Sequence, residues 1–332
     1  MGDLVIATPF LQAASEKYAL TLLAKPYALD LQQRFWPRVN VVPFIAPWTA
    51  FQHKYRLWGW PWRQMFSLLE QLAGERFDFG LSARWDPRDH LLLTLVRARA
   101  RLGFPRVGSQ IFLSQPLARP DPTAHRFENW RVMAKALGFE LPPREKIGQE
   151  LRREEGGVSS IGSQAARHST LDTFDVLVHT GAGQPVRVWP LDRYRNLVAH
   201  LRQKGFRVQV ACDPEQRPWW LDAGESTVAM PHTVTELFAL VDRAGVFLGN
   251  DSGPGHLAAF CGVPTFTIFG PQLPEWFAPL HPASEWLEGK PCPYKPCSDY
   301  CRFLVPGCMN NSREEEVWGR VASFLERALR RG

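Results

Sequence analysis

The stretch NDSGPGHLAAFCGVPTFTIFG, residues 250 to 270, decides the fold. Its first residue closes an apolar run, VFLGN, that reads as a buried strand. Asp251 to Gly255 make a turn punctuated by glycine and proline, HLAAFCG reads as a helix and PTFTIFG as a further strand. Strand, turn, helix and strand in that order make one βαβ unit, and such units build parallel sheets. A glycine-rich first helical turn also gathers free backbone N–H groups at the positive end of the helix dipole, about half an elementary charge. A phosphate can approach the backbone closely there. The same residues equally suit a plain helix cap, with Asp251 or Ser252 accepting from the first N–H groups. Two readings therefore stand: a structural cap, or an anion site in which Asp251 or Ser252 meets a ligand hydroxyl and His256 donates to a phosphate or sugar oxygen.

Working outward, the alternation continues. DVLVHT reads as a strand, LDRYRNLVAHLRQKG as a helix ending at Gly205, RVQVA as a strand and STVAM as another. In HTVTELFALVDRAG, Thr233 and Glu236 stand at capping-box spacing, with Leu237, Leu240 and Val241 on one face. A last helix is expected from Ser312, with Glu315 as its capping partner. The block from 171 to 311 is thus expected to be a doubly wound parallel α/β domain, followed by a helix over 312–332. Upstream, YALTLLA, VNVVPFI, FDFGLSA and VGSQIFLS read as strands, and helical patterns cover 62–74 and 123–137. A second α/β domain over 1–160 is expected, including the start of a polar, Gly- and Ser-bearing linker at 144–170. Two such domains would face each other across a cleft.

A second glycine-rich turn bears on the choice between cap and anion site. VHTGAGQPVRVWP, residues 178 to 190, places Thr180, Gly181, Gly183 and Arg187 after the strand DVLVHT. In an open parallel sheet the C-terminal strand ends border the ligand crevice, so both turns can serve one anionic ligand, with Arg187 as its cation. Neither turn is a full GxGxxG with an acid about twenty residues on, which disfavours a nicotinamide cofactor.

The chain has 332 residues, 45% of them hydrophobic, and a formal net charge of +6. No apolar run approaches the roughly 20 residues of a membrane-spanning helix. The N-terminus lacks the basic and apolar regions of a secretory signal, so a cytoplasmic setting is expected. The mild positive charge suits phosphate-bearing ligands or an anionic membrane surface. No nucleic-acid module pattern accompanies it, and nucleic acid is not expected as a partner.

These residues resemble a known family. NDSGPGHLAAFCGVPTFTIFGP is similar to the signature of bacterial lipopolysaccharide heptosyltransferases and their relatives, and the resemblance extends through HTGAGQPVRVWPLDRYRNLVAHL, GDLVIATPFLQA and ERFDFGLSARWDPRDHLLLTLVRARARLGF. It implies a GT-B fold of two Rossmann-like domains, the C-terminal one holding the nucleotide sugar and the N-terminal one the acceptor. It implies inverting transfer of heptose from ADP-heptose to the inner core of a lipid A-anchored oligosaccharide, without a required cofactor. Asp3 would be the general base, and Arg187 the basic residue near the diphosphate. Thr180, Gly181, Asp251, Ser252, Gly253 and His256 would line the donor. A related transferase with another donor or acceptor, and a non-catalytic glycan- or nucleotide-binding relative, are the alternatives. The family has a strand before its Gly-Asp pair, whereas this chain opens on Met-Gly-Asp. The first strand is therefore expected to be missing, with Asp3 on a free N-terminal segment.

Two further stretches stand out. Cys292, Cys297, Cys301 and Cys308 cluster in PCPYKPCSDYCRFLVPGC, either as reduced packing cysteines or, more weakly, as a structural zinc site, since the spacing lacks paired CxxC. FQHKYRLWGWPWRQMF, residues 51 to 66, sets Trp58, Trp60 and Trp62 among Lys54, Arg56 and Arg63. That pattern suits sugar rings, a packed loop, or peripheral contact with the cytoplasmic face of the inner membrane, where a lipid-anchored acceptor would lie. The arginines at 84, 88, 97, 99 and 101 are candidates for acceptor phosphates or for a solvated helix face.

Overall fold

The computed structural model describes residues 1–49, 56–147, 173–297 and 300–329. The chain divides into two compact units: a smaller one of Phe10–Pro26 and Arg38–Leu141, and a larger one of Met1–Pro9, Tyr27–Pro37 and Pro142–Gly332.

In the smaller unit all strand pairing is parallel. One sheet pairs β1 (Thr21–Ala24) with β2 (Asn40–Pro43), and a separate one runs β3 (Phe79–Ser82), β4 (Ala100–Gly103), β5 (Gln115–Pro116). Its helices include Trp62–Ala73 and Phe127–Ala136. Leu68 and Leu72 of the first bury against Val96 and Ala98, with Leu23 and Val42 of the two-stranded sheet packed alongside. VGSQIFLS does not form the expected strand. Val107 and Gly108 both adopt positive φ, Ser109 Oγ accepts from Arg106 N at 2.9 Å, and Ser109–Phe112 coils into a 3₁₀ turn. Ile111 consequently stays 75% exposed, and pairing begins only at Gln115.

Among the described residues the larger unit carries five parallel strands: β6 (Phe174–His179), β7 (Val208–Ala211), β8 (Ala244–Asn250), β9 (Thr265–Phe269) and β10 (Glu285–Glu288), in the spatial order β10-β9-β8-β6-β7. β9 is buried at every residue and β8 from Val246 onward, as expected of strands covered on both faces. Val176, Val178, Leu248 and Phe266 join Leu197 and Leu201 of helix Leu191–Gln203, and Val321 and Phe324 of helix Glu314–Leu329, in one core. Each such side chain stabilises the fold by about 1.5–3 kcal/mol. Strand order runs outward in both directions from the β6/β8 pair, so the crevice beyond His179 and Asn250 is the topological switch point.

STVAM contributes a single bridge, Ala211 to Ala229, instead of a strand. Pro231 follows at once and has no N–H to extend the ladder. Thr233 caps Val234–Val241 as read, accepting from Glu236 N at 3.1 Å, while the Glu236 carboxylate accepts from His232 N, one residue outside the box. The last helix begins at Glu314, two residues beyond Ser312.

The division between units is not the linear one read from the sequence, because residues 27–37 and 1–9 group with the C-terminal residues, packing on helices Val234–Val241 and Gly253–Phe260. The Arg34 guanidinium donates twice to the Asp242 carboxylate, at 2.8 and 2.7 Å, and covers the Phe238 ring. Phe35 meets Phe238 and Phe260 edge-on, and Asp30 accepts from Val234 N at the start of that helix. The chain opens on helix Gly2–Ile6, with Val5 and Ile6 buried. No strand precedes it among the described residues, but Asp3 is held in its first turn and does not lie on a loose segment.

Candidate functional site

The switch point is built around Asn250, the last residue of β8 and fully buried. Its Nδ2 donates to the carbonyls of Thr180 at 2.8 Å and Gly181 at 3.4 Å, while its Oδ1 accepts from Trp189 N and Tyr194 OH, both at 2.9 Å. One side chain thereby ties the turn after β6 to the end of β8, and brings together the two glycine-rich stretches singled out in the sequence. Asn250→Ala should lower unfolding stability by about 2–4 kcal/mol, because it strands several buried polar groups at once. Urea unfolding measures this, and a loss below about 1 kcal/mol would mean the turns hold themselves.

Asp251 and Ser252 follow Asn250 directly. Asp251 is buried, and Arg187 Nη1 lies 3.4 Å from its Oδ2. Burial pushes the Asp251 carboxyl up to about 6; Arg187 and Lys295 pull against that rise, and Asp3 adds to it. Ser252 occupies the N-cap position of helix Gly253–Phe260 without making a side-chain cap, and its buried hydroxyl has no partner among the described residues. The plain capping role therefore fails for Ser252. What stands there is a helix N-terminus with an uncommitted hydroxyl, beside a carboxylate already paired to an arginine.

The opening helix borders this site. A side chain at Gly2 would meet His256 Cδ2 at 2.7 Å, and one at Gly253 would meet Met1 Cβ at 2.7 Å. Asp3, in the same helical turn, is exposed, and its charge is felt by both Tyr27 and Asp251. His256 is buried, and burial pulls its imidazole down to about 4, so the ring is neutral at pH 7 and offers one N–H as donor.

Thr180 and Gly181 open the turn after β6. Thr180 is fully buried and its hydroxyl is spent inward, donating to Gln216 Oε1 at 2.8 Å and accepting from Trp220 Nε1 at 3.1 Å. Those bonds anchor the turn. Gly181 is needed for close approach, since a Cβ there would lie 2.2 Å from the Asp213 carboxyl carbon. Asp213, Asn250 and Gln216 were not singled out from the sequence. The signals were there: an acid at the tip of the second strand, where dinucleotide folds place a ribose ligand, and a polar residue ending the apolar run VFLGN.

Cys292, Cys297, Cys301 and Cys308 do come together around one cavity of about 200 Å³. All are free thiols, and among the described residues no three His, Cys, Asp or Glu side chains are arranged to hold a metal ion.

Comparison with known proteins follows the same lines. Residues 65–303 match the model of glycosyltransferase family 9 (heptosyltransferase). Lipopolysaccharide heptosyltransferase 3 of Escherichia coli K12 is 30% identical over 110 residues, 29% of this chain and 30% of that protein. Lipopolysaccharide core heptosyltransferase OpsX of Haemophilus influenzae is 22% identical over 234 residues, 66% of this chain and 65% of its own length. The matched region thus spans less than two thirds of either relative. Among solved structures, E. coli heptosyltransferase WaaC with ADP superposes with a TM-score of 0.70 at 16% identity, covering 97% of this chain and 96% of that one. At that identity the likeness shows the GT-B fold, and the family model supplies the rest. Because that model matches well over half of the sequence, and its span includes both glycine-rich turns, the chain belongs to glycosyltransferase family 9, the heptosyltransferase family.

Proposed function

We propose that this chain is an inverting glycosyltransferase that transfers heptose from ADP-heptose to the inner core of lipopolysaccharide. The observation that carries the reading is the pair of turns locked by Asn250, which sets Arg187, Ser252 and the N-terminus of helix Gly253–Phe260 around one crevice. A nucleoside diphosphate suits that crevice: the helix N–H groups and Arg187 face its phosphates, and Asp213 at the tip of β7 faces a ribose diol. As the glycosidic bond breaks, negative charge grows on the diphosphate, and these fixed donors stabilise it. Asp3 takes the acceptor proton and His256 donates to a phosphate or sugar oxygen. WaaC was solved with ADP, which supports adenosine diphosphate as the carrier.

The smaller unit carries chemistry suited to an anionic acceptor. In the loop after β3, the guanidinium groups of Arg119 and Arg126 both lie over the Trp85 ring, 4.8 and 4.9 Å from its centroid. Arg84 in that loop and Arg88 in the first turn of helix Pro87–Leu95 pair with Asp86, and Arg84 also with Asp89. Aromatic faces and guanidinium groups together suit a sugar that bears phosphate or carboxylate. Trp58, Trp62 and Phe66 are 84%, 39% and 64% exposed, beside Arg56 and Arg63, and this supports contact with an anionic membrane surface. Lys54 and the rest of 50–55 lie outside the described residues. No helix among the described residues is long and apolar enough to cross a membrane.

The test is calorimetric titration of ADP-heptose against UDP- and GDP-sugars, with wild type and His256→Ala, followed by a transfer assay on heptose-deficient core lipid. Selective ADP-heptose binding that weakens by about 10-fold in the variant, together with transfer, is expected. Preference for another nucleotide sugar, or binding without transfer, would replace the reading with one of its alternatives.

A further inference from the structure

Beyond β10 the chain folds back over the C-terminal edge of the sheet, the edge that carries the donor turns. Gly289 N donates to Phe269 O at 2.8 Å and Cys297 N to Pro271 O at 3.0 Å, so residues 289–297 are fixed to the end of β9 and the turn after it. The cavity beneath this segment is lined by Lys295, Lys290 and the cysteines together with Val186, the residue immediately before Arg187. Lys295 is unusual for its type, because its side chain is only 6% exposed while its one ammonium partner among the described residues, Glu288 at 2.5 Å, is 40% exposed. Burial pushes the Cys297 and Cys308 thiols up, so they remain neutral and add no anion to balance it. A buried cation facing a half-exposed carboxylate is poised to exchange that partner for a better one. Its positive charge already reaches Asp251, as that of Arg187 does.

We infer that Lys295 is a second cation for the leaving diphosphate, releasing Glu288 and pairing with a phosphate oxygen when the donor nucleotide binds. The inference rests on the donor site proposed above. Arg187 would approach the phosphates from the β6 turn and Lys295 from the segment after β10, two segments whose charges both act on Asp251 next to the N-cap residue Ser252. A point charge on a flexible stem suits a phosphate that moves away as the sugar departs.

The experiment compares ADP, AMP and adenosine binding by calorimetry for wild type, Lys295→Ala, Lys295→Arg, Glu288→Gln and Arg187→Ala. Lys295→Ala should weaken ADP by about 10- to 100-fold while leaving adenosine unchanged, so that the preference for ADP over AMP collapses. Lys295→Arg should recover part of that preference, and Glu288→Gln should bind ADP at least as tightly as wild type, since the competing carboxylate is gone. A merely structural lysine would instead weaken adenosine and ADP equally, and Glu288→Gln would reproduce the loss; either result overturns the inference. Arg187→Ala separates the two levels of argument. If it loses ADP while Lys295→Ala does not, only this inference fails, and if neither loses ADP the donor site itself is misplaced.

Discussion

Asp3→Asn is expected to lower kcat for sugar transfer by about 10²- to 10⁴-fold while leaving ADP affinity unchanged. A sugar hydroxyl is a weak nucleophile, and attack at the anomeric carbon gains from a carboxylate that accepts its proton as the new bond forms. Asp3 stands in the first turn of helix Gly2–Ile6, exposed, and the same helix packs on the one that starts at Gly253. The acid is thus fixed beside the proposed diphosphate site with its carboxylate open to an incoming hydroxyl. Asparagine keeps its size and hydrogen-bonding reach but cannot take the proton. The competing explanation is an acidic residue that merely complements the helix dipole, worth about 0.3–1 kcal/mol of stability. Steady-state transfer assays with labelled donor, read beside ADP calorimetry, separate the two. A variant with wild-type kcat and a slightly lower melting temperature would remove Asp3 from the chemistry.

The parts of this molecule that could be read in advance are those where local chemistry and long-range packing agree. The βαβ alternation from Asp175 onward was legible because its central strands β6, β8 and β9 are mostly apolar and the turns after β6 and β8 carry glycine, so period and punctuation pointed the same way. The two turns could be assigned to one crevice because parallel sheets place their loops at one edge. VGSQIFLS failed because its alternation is real but Ser109 binds back onto Arg106 N, and a side-chain bond to the local backbone outcompeted the ladder. Residues 27–37 joined the C-terminal helices through Arg34, Phe35 and Asp30, whose partners lie more than 200 positions away. No sequence window contains that information. Within the site, Arg187 and Asp251 were legible by type and position, whereas Asn250 and Asp213 matter through what they touch, which only the fold specifies.

Asp251→Asn is expected to make the protein more stable than wild type at pH 8, by about 3 kcal/mol, with the difference vanishing near pH 4. Burial holds the Asp251 carboxyl up at about 6, above its ordinary 3.8. Between those values the folded state keeps a proton that the unfolded state has released. Stability attributable to this group therefore falls as pH rises through the window, and the whole penalty persists above it. His256 works in the opposite sense. Its folded value is lowered to about 4 from 6.5, so as pH falls through the same range the unfolded chain takes up a proton that the buried ring does not, and stability is lost. The two opposed slopes partly cancel in wild type, and comparison with Asp251→Asn isolates one of them by urea unfolding at each pH. A variant less stable than wild type at pH 8 would show that the Arg187 pair outweighs desolvation. If the penalty is found, the carboxylate is retained against stability, which a cap or a packing residue does not require. An acid that resists ionisation can accept a hydrogen bond from a donor sugar hydroxyl when charged. When protonated it yields Arg187 to the diphosphate. The same substitution should therefore stabilise the fold and abolish transfer, and that combination would identify Asp251 as a residue kept for the ligand.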